Sequence, residues 1–161
     1  MRNKKIDFLD LGNQPLANSY IRKKNLHKTE RKYRLIVCFD TNTKLVTIKK
    51  TYSSKDMFNN EYPYRSSTSK TMSLHLKKLA QKIKRIKPKK ILEIGSNDGC
   101  FIKNFDKKKT IGIEPCTNVE KITKKQRYNT YPEYWSPSLA KKILKKHNKV
   151  NVIVSSNTIS H

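Results

Sequence analysis

The chain has 161 residues, 35% of them hydrophobic, and a formal net charge of +25, which suits one domain with a modest core and excludes a wholly disordered chain. No apolar stretch reaches the length of about 18 residues that a membrane span needs, and the charged amino terminus lacks the apolar segment of an export signal. The three cysteines, Cys38, Cys100 and Cys116, are widely spaced, so we expect no disulfide framework and a reducing, cytoplasmic location.

The net charge raises the question of a nucleic-acid partner. Of the 37 basic residues, 30 are lysine and seven are arginine, whereas sites that hold phosphate with two hydrogen bonds favour arginine. Isoleucine and asparagine are abundant while alanine and glycine are scarce, a skew typical of an AT-rich genome. Such a bias places lysine on solvated surfaces whatever the partner. The composition therefore argues against a specific nucleic-acid role.

The first part of the chain, residues 1–65, lacks helical periodicity and is expected to be β-rich. The segments YRLIVCF and KLVTIKKTY predict two strands joined at Asp40-Thr41-Asn42, residues that favour turns. A polar, proline-containing connection, EYPYRSSTSK, follows them. We place the domain boundary in this connection and assign residues 66–161 to a second domain.

Helices and strands alternate in the second domain. An amphipathic helix begins near Thr71 and ends before Pro88. Its apolar stripe consists of Met72, Leu76, Leu79, Ile83 and Ile86. Strands are predicted in KKILEIG, TIGIEP, RYNTYPEYW and VNVIVSSN, and a helix follows each of the first three. The first helix is marked by Phe101, Ile102 and Phe105, and the second begins with a capping box of Thr117 and Glu120. The third begins at Ser136-Pro137 and turns Leu139, Ala140, Ile143 and Leu144 inward. This alternation predicts an α/β fold, a partial Rossmann-like sheet of about four parallel strands with flanking helices.

The stretch ILEIGSNDGCF is the clearest functional motif. An apolar strand meets a turn bracketed by Gly95 and Gly99, a junction that usually faces a ligand beyond the carboxyl end of the strand. Glu114 ends the next strand, 19 positions after Gly95, which matches the spacing to an acid that holds ribose hydroxyls. The pattern predicts a nucleoside site.

The loop composition distinguishes between cofactors. A nicotinamide cofactor needs a middle glycine so that the backbone can approach its pyrophosphate, whereas Ser96, Asn97 and Asp98 fill this loop. Polar side chains suit a ligand with adenosine and no pyrophosphate. S-adenosylmethionine is such a ligand, and Asn97 or Asp98 would help to hold its amino-acid tail.

Four segments in order along the chain resemble the class I S-adenosylmethionine-dependent sugar C-methyltransferases, which methylate ketosugar nucleotides and carry an N-terminal zinc-binding domain. The segments are FLDLGNQPLANSY, YPYRSSTS, ILEIGSNDGCFIKNF and TIGIEP. The resemblance covers nearly the whole chain but only the front half of the family's length, so we expect a truncated protein.

The resemblance implies a role for each of a set of residues. It places the methionine end of the cofactor at Gly95, Asn97, Asp98 and Gly99, the ribose at Glu114, the adenine beside Tyr134 and Trp135, and the remaining cofactor wall at Ser156 and Asn157. It also assigns His161 to a position near the sugar and Tyr64 to substrate contact, as the two candidate catalytic residues.

Two departures from the family pattern bear on function. The family's second C-x-x-C pair corresponds here to Cys38 and Thr41, and no cysteine precedes FLDLG. One thiolate cannot hold a structural zinc, so we expect no metal. The HEH-type segment that carries the family's catalytic base and the last three strands of its sheet are also missing.

Three functions remain open at this stage. The first is a methyltransferase-family fragment that acts on a sugar nucleotide, with a second chain completing the sheet. The second is an inactive remnant without the catalytic half. The third is a basic protein that binds or methylates RNA, although the fourth strand ends in SSNT and lacks the Asn/Asp-Pro-Pro-aromatic segment of enzymes that methylate base nitrogens. None of these three functions requires a membrane.

Overall fold

A computed structural model describes residues 5–159. The chain divides into two compact units, Met1–Met57 and Phe58–His161, so the division lies ahead of the 65/66 boundary placed from the sequence. No helix among the described residues is long and apolar enough to cross a membrane.

The first unit is a three-stranded antiparallel sheet with the order β1-β2-β3. Its strands are β1 (Lys5–Pro15), β2 (Lys32–Asp40) and β3 (Val46–Ile48), followed by the short helix α1 (Ser54–Met57). The predicted hairpin joins β2 to β3. In its turn, the carboxylate of Asp40 accepts hydrogen bonds from the backbone N–H groups of Asn42 (2.9 Å) and Thr43 (3.1 Å). These two bonds close an Asx turn.

The second unit has the predicted α/β architecture. Its elements are α2 (Lys70–Arg85), β4 (Ile91–Ile94), β5 (Thr110–Ile113), α3 (Thr117–Lys125), β6 (Thr130–Tyr131), α4 (Pro137–His147) and β7 (Val152–Ser155). The strands pair in the order β6-β5-β4-β7 and all pairs are parallel. The expected partial Rossmann-like sheet of four parallel strands is confirmed.

Both faces of the central strands are buried, as in other parallel sheets covered by helices. On one face, Ile91 packs in a cluster with α2 and the segment after β4. On the other, Leu92 and Ile94 pack in a cluster with β5 and α4, which contributes Leu139 and Ile143. The core of the second unit is therefore built by the apolar periodicity that the sequence displays.

The predicted N-terminal cap is correct for α4 and wrong for α3. Ser136 caps α4, since its Oγ accepts a hydrogen bond from the N–H of Leu139 (3.2 Å). The capping box predicted for α3 was wrong: Cys116 is the N-cap and makes no side-chain cap. The carboxylate of Glu120 is buried and instead accepts from the hydroxyl of Thr130 at 2.9 Å.

Three further predictions were wrong in detail. The helix expected after β4 is a single 3-10 turn at Ile102–Asn104, because the chain must turn back at once toward β5. Ile86 is 68% exposed since α2 ends one residue before it. Leu144 is 52% exposed because it lies outside the buried side of α4, which consists of Leu139 and Ile143.

The parallel arrangement gives the four-stranded sheet two unlike edges. We call the edge where all four strands end the carboxyl edge; its loops are residues 95–101, 114–116, 132–136 and 156–159. We call the opposite edge, where the strands begin, the amino edge. Ligands of open α/β sheets bind beyond the carboxyl ends of the strands.

Candidate functional site

The turn after β4 has a backbone that requires its two glycines. Gly95 and Gly99 adopt φ values of +75° and +79°, and Asn97 between them has φ +48°. A Cβ atom on Gly95 would lie 2.2 Å from the hydroxyl of Thr158, and one on Gly99 would lie 2.7 Å from a methyl carbon of Thr123. A side chain at either glycine would therefore displace α3 or the loop after β7.

Glu114 connects this glycine loop to the end of β5. Its Oε2 accepts a hydrogen bond from the N–H of Asn97 at 2.9 Å, and its Oε1 accepts from the N–H of Cys116 at 2.8 Å. Burial raises the pKa of Glu114, against the opposing effect of these two bonds. Each carboxylate oxygen has two lone pairs, so both remain able to accept a bond from a ligand hydroxyl. The carboxylate is 5% exposed and shapes the loop through its two bonds.

A segment of residues 62–67, which we call the strap, is hydrogen-bonded to the glycine loop. The side-chain amide of Asn97 uses both ends on it: Oδ1 accepts from the N–H of Ser66 (2.8 Å) and Nδ2 donates to the carbonyl of Tyr64 (3.2 Å). Asp98 Oδ2 accepts from the hydroxyl and the N–H of Ser67. Asn118 of α3 donates to the carbonyl of Tyr62 at 2.8 Å.

Two buried carboxyl oxygens at the loop have no hydrogen-bond partner: Asp98 Oδ1 and Glu93 Oε2. Glu93 lies in the middle of β4, with 3% of its surface exposed. Burial, and secondly the neighbouring carboxylate of Glu114, raise the pKa of Glu93 well above its ordinary value, although the N–H of Ile102 donates to it. Unpartnered buried carboxyl oxygens are costly. Burial favours the uncharged form of Glu93, whereas Asp98 Oδ1 suits a ligand that carries a positive charge or a hydrogen-bond donor.

The other loops of the carboxyl edge contain four more of the predicted residues: Tyr134, Trp135, Ser156 and Asn157. Tyr134 donates its hydroxyl to the carbonyl of Phe58, and Trp135 is 41% exposed. Asn157 has φ +53° in the loop after β7, next to the Thr158 that contacts Gly95. His161 lies outside the described residues.

The structure brings some of the predicted residues into direct contact. Asn97 bonds to Glu114 through its N–H and to the backbone of Tyr64 through its side chain. The Tyr64 side chain is 40% exposed. Among residues 5–159, Trp135 and Asn157 have no hydrogen bond to another predicted residue, so their assignment to the cofactor rests on the resemblance and stays a prediction.

Sequence reasoning missed the contributions of Glu93 and of the strap serines. A charged residue within the apolar strand ILEI is a signal that could have identified Glu93, because a buried acid without a basic neighbour needs a reason. The binding of Ser66 and Ser67 to the loop had no comparable signal, since these residues lie 31 positions from their partners.

The donor set around Cys38 does not fit a structural zinc. Its sulfur lies 3.6 Å from the hydroxyl of Thr47 on β3, and Asp7 on the opposite strand is paired with Lys49. Residues 5–159 contain no cluster of three or more histidine, cysteine or acidic side chains able to hold a metal. Tetrahedral structural sites use four nitrogen or sulfur ligands.

Comparisons with known proteins give one result for the first unit. Residues 2–58 match a methyltransferase-associated family model described as "Putative zinc binding domain". The matched range agrees with the first compact unit, Met1–Met57, to within one residue at each end. This unit is therefore similar to that putative zinc-binding domain. The search of curated proteins found no match.

Proposed function

We propose that the second unit binds S-adenosylmethionine at the carboxyl edge of its sheet and forms the cofactor-binding part of a methyltransferase. The observation that carries the proposal is the bond between Glu114 and the N–H of Asn97, which joins the glycine loop to an acid at the end of the next strand. A loop and an acid placed in this way match nucleoside-binding sites of open α/β sheets. The methyltransferase-associated model matched by the first unit supports the same conclusion.

The residues at the site fit the chemistry of this ligand. Its amino-acid tail carries an ammonium group and its sulfonium carries a positive charge, and the unpartnered Oδ1 of Asp98 is an acceptor without a donor. Glu114 retains lone pairs for the ribose hydroxyls. No lysine or arginine lies in the loops 95–101, 114–116, 132–136 and 156–159, and Arg65 of the strap is exposed to solvent.

We further propose a sugar nucleotide as the methyl acceptor, in line with the resemblance to C-methyltransferases of ketosugar nucleotides. When bound, the cofactor supplies an electrophilic methyl group. The protein must remove a proton next to the sugar ketone and hold the resulting carbanion in line with that group. Tyr64 and His161 are the residues of this chain proposed to approach the sugar, and the cytoplasm is the proposed location.

A second chain that completes the sheet is part of the proposal. β7 pairs with β4 on one side, and no described strand pairs with its other side. Ile153 in β7 is 57% exposed. An apolar edge strand whose backbone groups are free on one side favours pairing with another strand. A partner bound there would lie beside β7 and next to the carboxyl edge.

Isothermal titration calorimetry of the full chain with S-adenosylmethionine tests the cofactor proposal. We expect saturable binding that Glu114→Ala weakens. Glu133→Gln is the matched control, because the side chain of Glu133 lies at the same edge, is 42% exposed and is paired with Lys142. Absence of any binding by the wild-type chain would contradict the proposal. Transfer of a radiolabelled methyl group to a ketosugar nucleotide tests the acceptor separately.

A further inference from the structure

The amino edge of the four-stranded sheet concentrates the positive charge of the second unit. Four segments lie there, where helices end and strands begin: residues 82–90, 105–109, 124–129 and 145–151. Together they contain fifteen lysines and arginines and a single acidic residue, Asp106. All of these cations except Lys90 are exposed. This edge therefore carries a dense positive field.

The distribution of charge differs from what composition bias predicts. If an AT-rich genome alone explained the lysines, they would occur on both edges of the sheet. The carboxyl-edge loops instead contain no lysine or arginine and include the acids Asp98, Glu114 and Glu133. Arg65 of the strap and Lys70 at the start of α2 are cations next to these loops, against fifteen at the amino edge. The charge is therefore distributed unequally within one compact unit, so position in the fold and not composition alone governs where the lysines lie.

The cations of the amino edge are not used by acidic side chains of the described chain. The described ion pairs include those of Arg31, Arg34, Lys49 and Lys142, none of which lies in the four segments. Helix carboxyl termini attract basic residues in their last turn, which accounts for those at the ends of α2, α3 and α4. The attraction of helix ends does not account for the eight lysines and arginines that lie in the four segments outside α2, α3 and α4.

We propose that the amino edge binds the phosphodiester backbone of a nucleic acid without reading its bases. Lysine is a flexible point charge, which suits contact with phosphate regardless of sequence. A membrane-binding surface would need apolar side chains to insert between lipids, and among the four segments only Ile86 is a largely exposed apolar residue. The surface lies opposite the proposed cofactor site, so bound nucleic acid would tether the protein and leave that site free.

Fluorescence anisotropy of the full chain with a labelled single-stranded RNA, titrated at salt concentrations from about 50 to 200 mM, tests the proposal. The edge variant carries Lys87→Glu, Lys108→Glu and Lys149→Glu, one exposed residue from each of three connections. The control variant carries Lys→Glu at Lys23, Lys24 and Lys28, exposed residues of the first unit. Each set lowers the net charge of +25 by six, so the two variants differ only in where the charge is changed.

We expect the RNA affinity of the edge variant to fall about tenfold or more. The slope of log K against log salt should become shallower by about two, since three phosphate contacts are lost and each contributes about 0.7 on a single strand. The control variant should change affinity less than about threefold. Triple Lys→Gln variants at the same positions repeat the comparison without introducing acids. Equal weakening by both sets, no RNA binding at the lowest salt, or edge-dependent binding to phosphatidylserine vesicles without RNA binding would each overturn the proposal.

Discussion

Glu114→Ala is the most informative perturbation of the candidate site. The substitution removes both oxygens that accept from the N–H groups of Asn97 and Cys116. A buried donor left without a partner costs about 1–3 kcal/mol. Since two donors lose their acceptor, we expect the free energy of unfolding to fall by about 2 kcal/mol or more. The loop would lose its bond from Asn97 to Glu114, while the N–H groups of Gly95 and Ser96 would still donate to the carbonyl of Ile113 in β5.

The effect on cofactor binding follows from the same carboxylate. Hydrogen bonds to a charged group are worth about 1.5–3 kcal/mol, so we expect Glu114→Ala to weaken S-adenosylmethionine binding by about 10- to 150-fold. Glu114→Gln keeps the shape but replaces one acceptor oxygen by an NH₂ group that faces a backbone donor. Its loss of stability should be smaller than that of the alanine variant, and both should exceed the effect of the exposed control, Glu133→Gln.

Calorimetry with S-adenosylmethionine and with its 2′-deoxy analogue separates a ribose contact from a purely loop-shaping role. If Glu114 accepts from the ribose, removing both the carboxylate and the hydroxyl should cost less than the sum of the two single losses, with a coupling of about 1 kcal/mol or more. An alanine variant that binds with wild-type affinity would refute the site. Weakened binding with no coupling would refute the ribose role.

The other predictions concern the core acid, the metal and the free strand. Burial raises the pKa of Glu93. The contribution of Glu93 to stability is therefore complete below the pKa of the unfolded chain and declines as the pH rises. The free energy of unfolding of Glu93→Gln, relative to wild type, should rise with pH by up to about 1.4 kcal/mol per pH unit. Denaturation at pH 4.5, 6 and 7.5, with the exposed Glu30→Gln as control, checks the sign, and parallel curves would contradict it. Elemental analysis should find well under one zinc per chain, unchanged by Cys38→Ser; a near-stoichiometric content would show ligands beyond those considered. Light scattering should detect self-association at micromolar concentration that Ile153→Lys abolishes and Leu144→Lys does not, and a monomeric wild type would count against strand pairing at β7.

Local sequence patterns were sufficient for the order and type of most elements. The stripe of apolar residues from Met72 to Ile83 specifies the buried side of α2, and Ser136-Pro137 specifies the start of α4. Gly95, Gly99 and Glu114 were recognisable because their spacing follows from a strand, a turn and a second strand. These features depend on residues close together in the chain, and such interactions can be read from the sequence alone.

The tertiary structure decided which groups meet across long separations. The side chain of Asn97, expected to face the cofactor, is bonded at both ends to the strap, and Glu120 bonds to Thr130 instead of capping α3. A polar side chain takes whichever partner the fold brings within about 3 Å, and burial makes that choice costly to change. The total charge and its distribution were likewise decided at these two different levels. Composition determined the total of +25, whereas the parallel pairing of the strands decided that lysines gather at one edge and acids at the other.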